Sequence, residues 1–189
     1  MSLSGWAVIA LAYHLTSRLA YVLYVGIALS RQEHTEYFTR RYGVEQGFQR
    51  FRRVAATLMA NDAVSFVVVC LLSRDTLPVE LRSGVAVAVG AVLVLVGLLT
   101  KVWAAATLGG KAYYWHNFFA PAERSVPNST GPYRFLKNPM YTVGYLQTYG
   151  LALLTGSLPG LVAALFAQAA ILLFYLRVEK PHFDKLLRS

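Results

Sequence analysis

Two short stretches near the C-terminal end hold most of the side chains capable of chemistry. The first is Gly131-Pro132-Tyr133-Arg134-Phe135-Leu136-Lys137-Asn138-Pro139-Met140-Tyr141; the second, about 40 residues later, is Val178-Glu179-Lys180-Pro181-His182-Phe183. Asn138-Pro139 reads as a helix start, because Asn is a good N-cap and Pro is favoured at the first helical position. The free N–H groups and positive dipole end of such a helix favour an anion. Arg134 offers a bidentate contact to a carboxylate. Tyr141 falls one turn inside the predicted helix, where its ring can pack on a planar ligand or its hydroxyl can position a polar one. Glu179 sits beside apolar Val178 and near Phe174, so its carboxylate needs a partner. That partner is a cation, an amine whose proton it takes, or a neighbouring base, Lys180 or Arg177. His182 and His116 have the right unperturbed titration range for a base, but each reads as an ordinary residue first.

Five apolar runs must position these residues. Residues 3–29, 54–72 and 85–108 each meet the roughly 20-residue length of a bilayer-spanning helix. Residues 141–155 and 158–176 flank the turn signal Gly156-Ser157-Leu158-Pro159-Gly160. They predict a tight helical hairpin whose first arm is short for a full span. The expected fold is therefore all-α: a polytopic membrane protein of about five transmembrane helices, the last two a hairpin. Composition agrees, with 56% hydrophobic residues and only 14% charged, and a mean hydropathy of +0.45. The N-terminal run lacks a basic start and is too long for the apolar part of a secretion signal. No strand pattern and no G-x-G-x-x-G stretch is present to build a soluble dinucleotide-type fold. The sole cysteine, Cys70, lies inside an apolar run. It excludes a disulfide framework and reads as a packing residue, and no metal is expected.

Charge orients the runs. The loop at 30–53 carries Arg31, Arg40, Arg41, Arg50, Arg52 and Arg53, whereas the loop at 73–83 has only Arg74 and Arg82 against Asp75 and Glu80. Residues 109–139 hold Lys111, Arg124, Arg134 and Lys137, and the C-terminal stretch holds Arg177, Lys180, Lys185 and Arg188. The positive-inside rule puts the first loop, the long third loop and the C-terminus in the cytoplasm, with the N-terminus outside. The net charge of +9 is then loop bias and attraction to anionic headgroups, and no nucleic acid is called for. The long loop is rich in aromatics (Tyr113, Tyr114, Trp115, Phe118, Phe119, Tyr133, Phe135). It suits either a lid or an interfacial belt. Arg18, Asp62 and Lys101 fall inside predicted spans, where charges are usually paired or line a cavity. At about 1.5 Å per residue they lie roughly 16, 12 and 10 Å from the cytoplasmic ends of their helices, in one half of the membrane. Asp62 can pair with either base, and His14, Arg18 and Tyr21 share a helix face. Two readings stay open: a structural ion pair, or a polar cleft that receives an anionic headgroup.

The stretch from Gly131 to Tyr141 resembles the signature of the integral-membrane methyltransferases, the group that includes phosphatidylethanolamine N-methyltransferase and isoprenylcysteine carboxyl methyltransferase. Many members read Arg-His-Pro-x-Tyr here; the phospholipid branch often reads Asn-Pro-Met-Tyr, as at Asn138-Pro139-Met140-Tyr141. The family carries one or two glutamates just after its last helix, matched by Glu179, with Lys180 in the second place. A Gly-containing turn at the end of the third helix is matched by Leu108-Gly109-Gly110-Lys111. By motif, the resemblance covers roughly residues 103–187; the first hundred residues share only their hydrophobicity.

The resemblance implies one integral-membrane methyltransferase domain over 1–189, with three transmembrane helices in 1–107 and the cofactor-binding and catalytic region in 108–189. It implies S-adenosylmethionine as cofactor, held by Gly109, Gly110, Tyr133, Leu136, Asn138, Pro139, Tyr141 and Glu179. Glu179, Tyr141 and Arg134 are the expected catalytic residues. The expected acceptor is a lipid-like molecule in the bilayer, a phospholipid amine by preference. Carboxyl methylation of a prenylated cysteine or another small lipophile is the alternative acceptor chemistry. A membrane reductase using NADPH, and a transporter or scaffold without catalysis, are the alternatives of other classes.

Overall fold

The structure is a computed structural model, and it describes residues 4–78, 83–120 and 130–186. Glu80, Arg82, Arg124 and Arg188, counted above for orientation, lie outside the described residues. Helix α1 (Gly5–Thr35) begins at Ser4, whose hydroxyl accepts from the Ala7 N–H. An elbow at Glu36 leads into the short α2 (Tyr37–Tyr42), and Gly43 turns the chain into α3 (Val44–Leu72). Helix α4 (Gly84–Tyr113) follows, capped by Ser83. After it come α5 (Leu146–Leu154), α6 (Leu158–Phe174) and α7 (Lys180–Leu186). No strand occurs among the described residues.

Four helical stretches are long and apolar enough to cross a membrane: Gly5–Thr35, Val44–Leu72, Gly84–Phe118 and Leu158–Leu186. The chain is an integral membrane protein. Exposed Val85, Val92, Leu95, Leu99 and Val102 on α4 make sense only against lipid, because a face this apolar would be buried in a water-soluble fold. The fourth predicted run differs from expectation. Only Leu146–Leu154 is α-helix, about 14 Å long at 1.5 Å per residue, too short to span. Ahead of it lies a single 3-10 turn, Val143–Tyr145, entered through a non-helical Thr142.

This broken segment still runs the length of α4, in the opposite direction. Gly131 lies against Thr107 and Trp103, Gly144 against Lys101, Gly97 against Gln147, and Gly90 against Gly150 and Leu154. The approach is close enough that a Cβ on Gly150 would come within 2.5 Å of the Gly90 carbonyl oxygen. Small residues at such a seam let two backbones pack without a gap in lipid. The α5–α6 turn then docks on the end of α3. Ser157 hydrogen-bonds Ser73 through their hydroxyls at 2.6 Å, and Asp75 and Leu77 donate their N–H groups to Thr155 and Gly156.

At the opposite end, the elbow after α1, the C-terminal end of α4, the 3-10 turn His116–Phe118 and α7 come together. Gln32 donates to the Thr39 hydroxyl and accepts from the Phe38 N–H. Glu33 receives Lys185 at 2.9 Å and also bonds His182. The aromatic part of the long loop forms the core of this end: Trp115, Phe118 and Phe119 are buried against Phe48, Phe51, Tyr141 and Phe174. Packing, more than an interfacial belt, is what these rings do. Cys70 is buried, as expected, in a separate small-residue cluster with Ala152, Ala163 and Ala164.

Candidate active site and a cavity between the helices

Glu179 occupies the last position of a π-helical turn, Tyr175–Glu179, that joins α6 to α7. Such turns widen a helix by one residue and recur at functional sites. Here the turn faces the carboxylate inward. Tyr141 donates its hydroxyl to Glu179 Oε2 at 3.0 Å across 38 residues of sequence. The side chain of Trp115 lies near that carboxylate. Trp115 is held by a left-handed backbone (φ 58°) and by edge-on packing against Phe174 at 5.5 Å. The two stretches singled out in the sequence therefore meet at one hydrogen bond. Of the two competing bases, Lys180 pairs with Asp184 at 2.7 Å.

Tyr133 adds a second polar group. It lies on the 3-10 turn Gly131–Arg134, half-buried, and its hydroxyl is buried without a hydrogen-bond partner. Burial, helped by the nearby Glu179 carboxylate, pushes its pKa above the ordinary tyrosine value. The phenol therefore stays protonated and keeps a donor to offer. Gly109 interrupts α4 with φ 74° and ψ 163°, and no atom lies within 4 Å of where a Cβ would sit on Gly109 or Gly110. That backbone is open to close approach by a ligand.

Three expectations are corrected or narrowed. Asn138-Pro139 does not start a helix. Asn138 and Pro139 instead give their carbonyls to the N–H groups of Thr142 and Gly144, which builds a turn, and the first regular helix begins at Leu146 without a side-chain cap. No helix N-terminus is presented at this end of the fold by these residues. Pro139 is fully buried and Leu136 half-buried in this turn. Arg134 is exposed, its guanidinium 5.7 Å from the Phe135 ring centroid, and it makes no ion pair among the described residues. His182 stacks on Phe118 with centroids 3.7 Å apart and bonds Glu33, so it clamps α7 to α1. His116 packs edge-on against Phe48 in the aromatic core.

A cavity of about 370 Å³ opens between the helices and reaches this centre, since Trp115 and Tyr141 line it. Its other end holds the intramembrane charges. Arg18 bonds Asp62 at 2.5 Å and donates to the Tyr145 hydroxyl at 3.1 Å. His14 supports the pair from behind, bonded to the Ser65 hydroxyl at 2.8 Å. Asp62 therefore chooses Arg18 over Lys101. Apolar side chains including Met59, Phe66, Leu98 and Leu151 complete the lining. No cluster of three or more metal-binding side chains occurs among the described residues. Trp115, Tyr145 and Glu33 were not singled out for the site by sequence. Tyr145, four residues after Tyr141, was the legible one; the left-handed turn that aims Trp115 has no signature in residue type.

Comparison with known proteins follows this geometry. The phospholipid methyltransferase family matches residues 85–189, more than half of the chain. Proteins named phosphatidylethanolamine N-methyltransferase are similar to it. The one from Debaryomyces hansenii is 30% identical over 172 residues, covering 84% of this chain and 19% of the relative. That from Clavispora lusitaniae is 31% identical over 148 residues, covering 72% and 17%. That from Aspergillus clavatus is 33% identical over 138 residues, covering 71% and 14%. The chain thus spans less than a fifth of the length of these relatives. Similarity also reaches further toward the N-terminus than the two motifs do. No solved structure matches. With the family matched across both stretches that meet at Tyr141 and Glu179, the chain belongs to the phospholipid methyltransferase family.

Proposed function

We propose that this chain transfers a methyl group from S-adenosylmethionine to the amine of a phospholipid headgroup, at the cytoplasmic face of the membrane. The observation that carries the reading is the Tyr141–Glu179 hydrogen bond at the mouth of a cavity within the membrane. Membership of the phospholipid methyltransferase family and the names of its relatives support the reaction class. The reductase and transporter readings have no comparable support.

The residues present suit the cofactor. Glu179 supplies the one carboxylate in a site that has to accept a cation. The unpartnered Tyr133 hydroxyl supplies a buried donor, and the open backbone at Gly109 and Gly110 gives a surface for a planar or extended ligand. Arg134, exposed and unpaired among the described residues, is free to contact a carboxylate. When bound, S-adenosylmethionine supplies a methyl group already activated on a sulfonium, so what the protein adds is proximity and alignment. Tyr141 holds Glu179 in place through its O–H. Glu179 then balances positive charge in the site and accepts the proton that a lipid ammonium must lose before it can attack. Trp115 and the surrounding rings exclude water. The region from residue 108 onward carries the cofactor site, while α1, α3 and α4 wall the cavity that admits the lipid.

Orientation follows from charge. Arg31, Arg40, Arg41, Arg50, Arg52, Arg53 and Lys111 lie at the same end of the bundle as Glu179. The positive-inside rule puts that end in the cytoplasm, where the cofactor is. Calorimetry on the detergent-solubilised chain tests the reading. Wild type should bind S-adenosylmethionine, and Glu179→Gln should weaken binding by about tenfold or more, as loss of a charged partner implies. Absence of binding in wild type would sink the proposal.

A further inference from the structure

The cavity lining carries two bases and one acid: Arg18, Lys101 and Asp62. Asp62 is spent on Arg18, at 2.5 Å. Lys101 has no carboxylate within ion-pair distance among the described residues; its ammonium lies 5.6 Å from the centroid of the Tyr145 ring. A cation at this depth is costly unless an anion or water answers it. Lys101 is half-buried and lines the cavity, with Gly144 beside its Cβ. Arg18, in the same lining, is held by Asp62 and the Tyr145 hydroxyl. The lining is therefore short of one negative charge, in a chamber otherwise walled largely by apolar side chains.

We infer that Lys101 and Arg18 form a subsite for the phosphodiester monoanion of a membrane lipid, with the acyl chains along the apolar wall. A single negative charge matches the single unanswered positive one. Lys contacts phosphate as a point charge, and the Arg18 guanidinium adds positive charge to the same lining. Asp62 fixes the guanidinium from its other edge, so the anion meets a preset donor. Tyr145 and Tyr141, four residues apart, connect this subsite to Glu179. The claim that a phosphodiester lipid binds here stands without catalysis; naming the acceptor lipid as the occupant rests on the function proposed above.

The test uses the full chain in a non-ionic detergent. The probe is phosphatidylmethanol, a monoanionic phosphodiester lipid without an amine, carrying brominated chains that quench tryptophan; diacylglycerol with the same chains is the control. Wild type should prefer phosphatidylmethanol by about tenfold or more, the scale of a charge-assisted contact. Lys101→Met should remove about tenfold of that preference, while Lys101→Arg keeps it within about threefold. Both should bind S-adenosylmethionine as wild type does. Lys101→Met deletes an unpaired charge from a membrane span, so its melting temperature should not fall; Lys101→Gln serves equally if it does. Equal binding of both lipids by wild type, or an unchanged preference in Lys101→Met, overturns the subsite. A raised KM for phosphatidylethanolamine in Lys101→Met, with kcat held, makes the acceptor the occupant. An unchanged KM with lost phosphatidylmethanol binding keeps the subsite and assigns it to a second, non-acceptor anionic lipid. Phosphatidylmethanol binding without any methyl transfer by wild type removes the proposed function and leaves the subsite standing.

Discussion

At the scale of single residues, the hydroxyl of Tyr141 does the joining. Among the described residues, it joins the two C-terminal stretches by a side-chain hydrogen bond to Glu179. Tyr141→Phe keeps the ring and removes the bond. We expect folding to be retained and kcat/KM for methyl transfer to drop about tenfold, since hydrogen bonds to charged groups are worth about 1.5–3 kcal/mol. An unchanged rate would make the contact merely structural. The Arg18–Asp62 pair makes the opposite prediction. Asp62→Asn leaves Arg18 without its counter-charge in the membrane, and should lower stability by about 3 kcal/mol in thermal unfolding. These residues were legible in part. Glu179 and Tyr141 stood out because a carboxylate at a membrane boundary and a Pro-x-Tyr turn are unusual in type. Asn138 misled, because its suitability as a cap says nothing about whether the next backbone is helical.

At the scale of elements, the broken segment along α4 explains why five apolar runs yield four spanning helices. Residues 141–155 are apolar enough to enter the membrane, yet Val143–Tyr145 is 3-10 and α5 has only nine residues. Irregular backbone at membrane depth is tolerated where it is buried in protein or lines a cavity. Here it does both, and the break turns Tyr141 toward Glu179 and Tyr145 toward Arg18. Hydropathy could find the segment but not the break, which depends on backbone packing against α4. That packing is testable where the two backbones approach closely. Gly150→Ala should overpack the Gly90 seam and destabilise the fold by about 1–3 kcal/mol, read as a lower melting temperature in detergent. A neutral effect would mean that α4 and α5 are not held as described.

At the scale of the molecule, the bundle sorts its chemistry to one end. The serine-lined turn contacts at Ser73 and Ser157 close the other end without charge, while the basic elbow, the aromatic core and Glu179 share the first. The all-helical, membrane-embedded class and the gathering of basic residues at one end could be read from run lengths and charge alone, because both are properties of the chain before it packs; the number of spanning helices could not. The cavity could not, since its walls come from four helices and the broken segment. Membrane orientation has a direct readout. Single cysteines placed at Lys111 or Gln46 should react with a membrane-impermeant maleimide only from the cytoplasmic side, and one at Thr76 only from the other. Cys70, buried, should stay silent. The central claim is tested most directly by supplying radiolabelled S-adenosylmethionine to the full chain in bilayers of phosphatidylethanolamine and extracting the lipids. The account predicts label in the methylated headgroup, abolished in Glu179→Gln. Label absent from the lipid fraction with wild-type protein that is folded and binds the cofactor would contradict it.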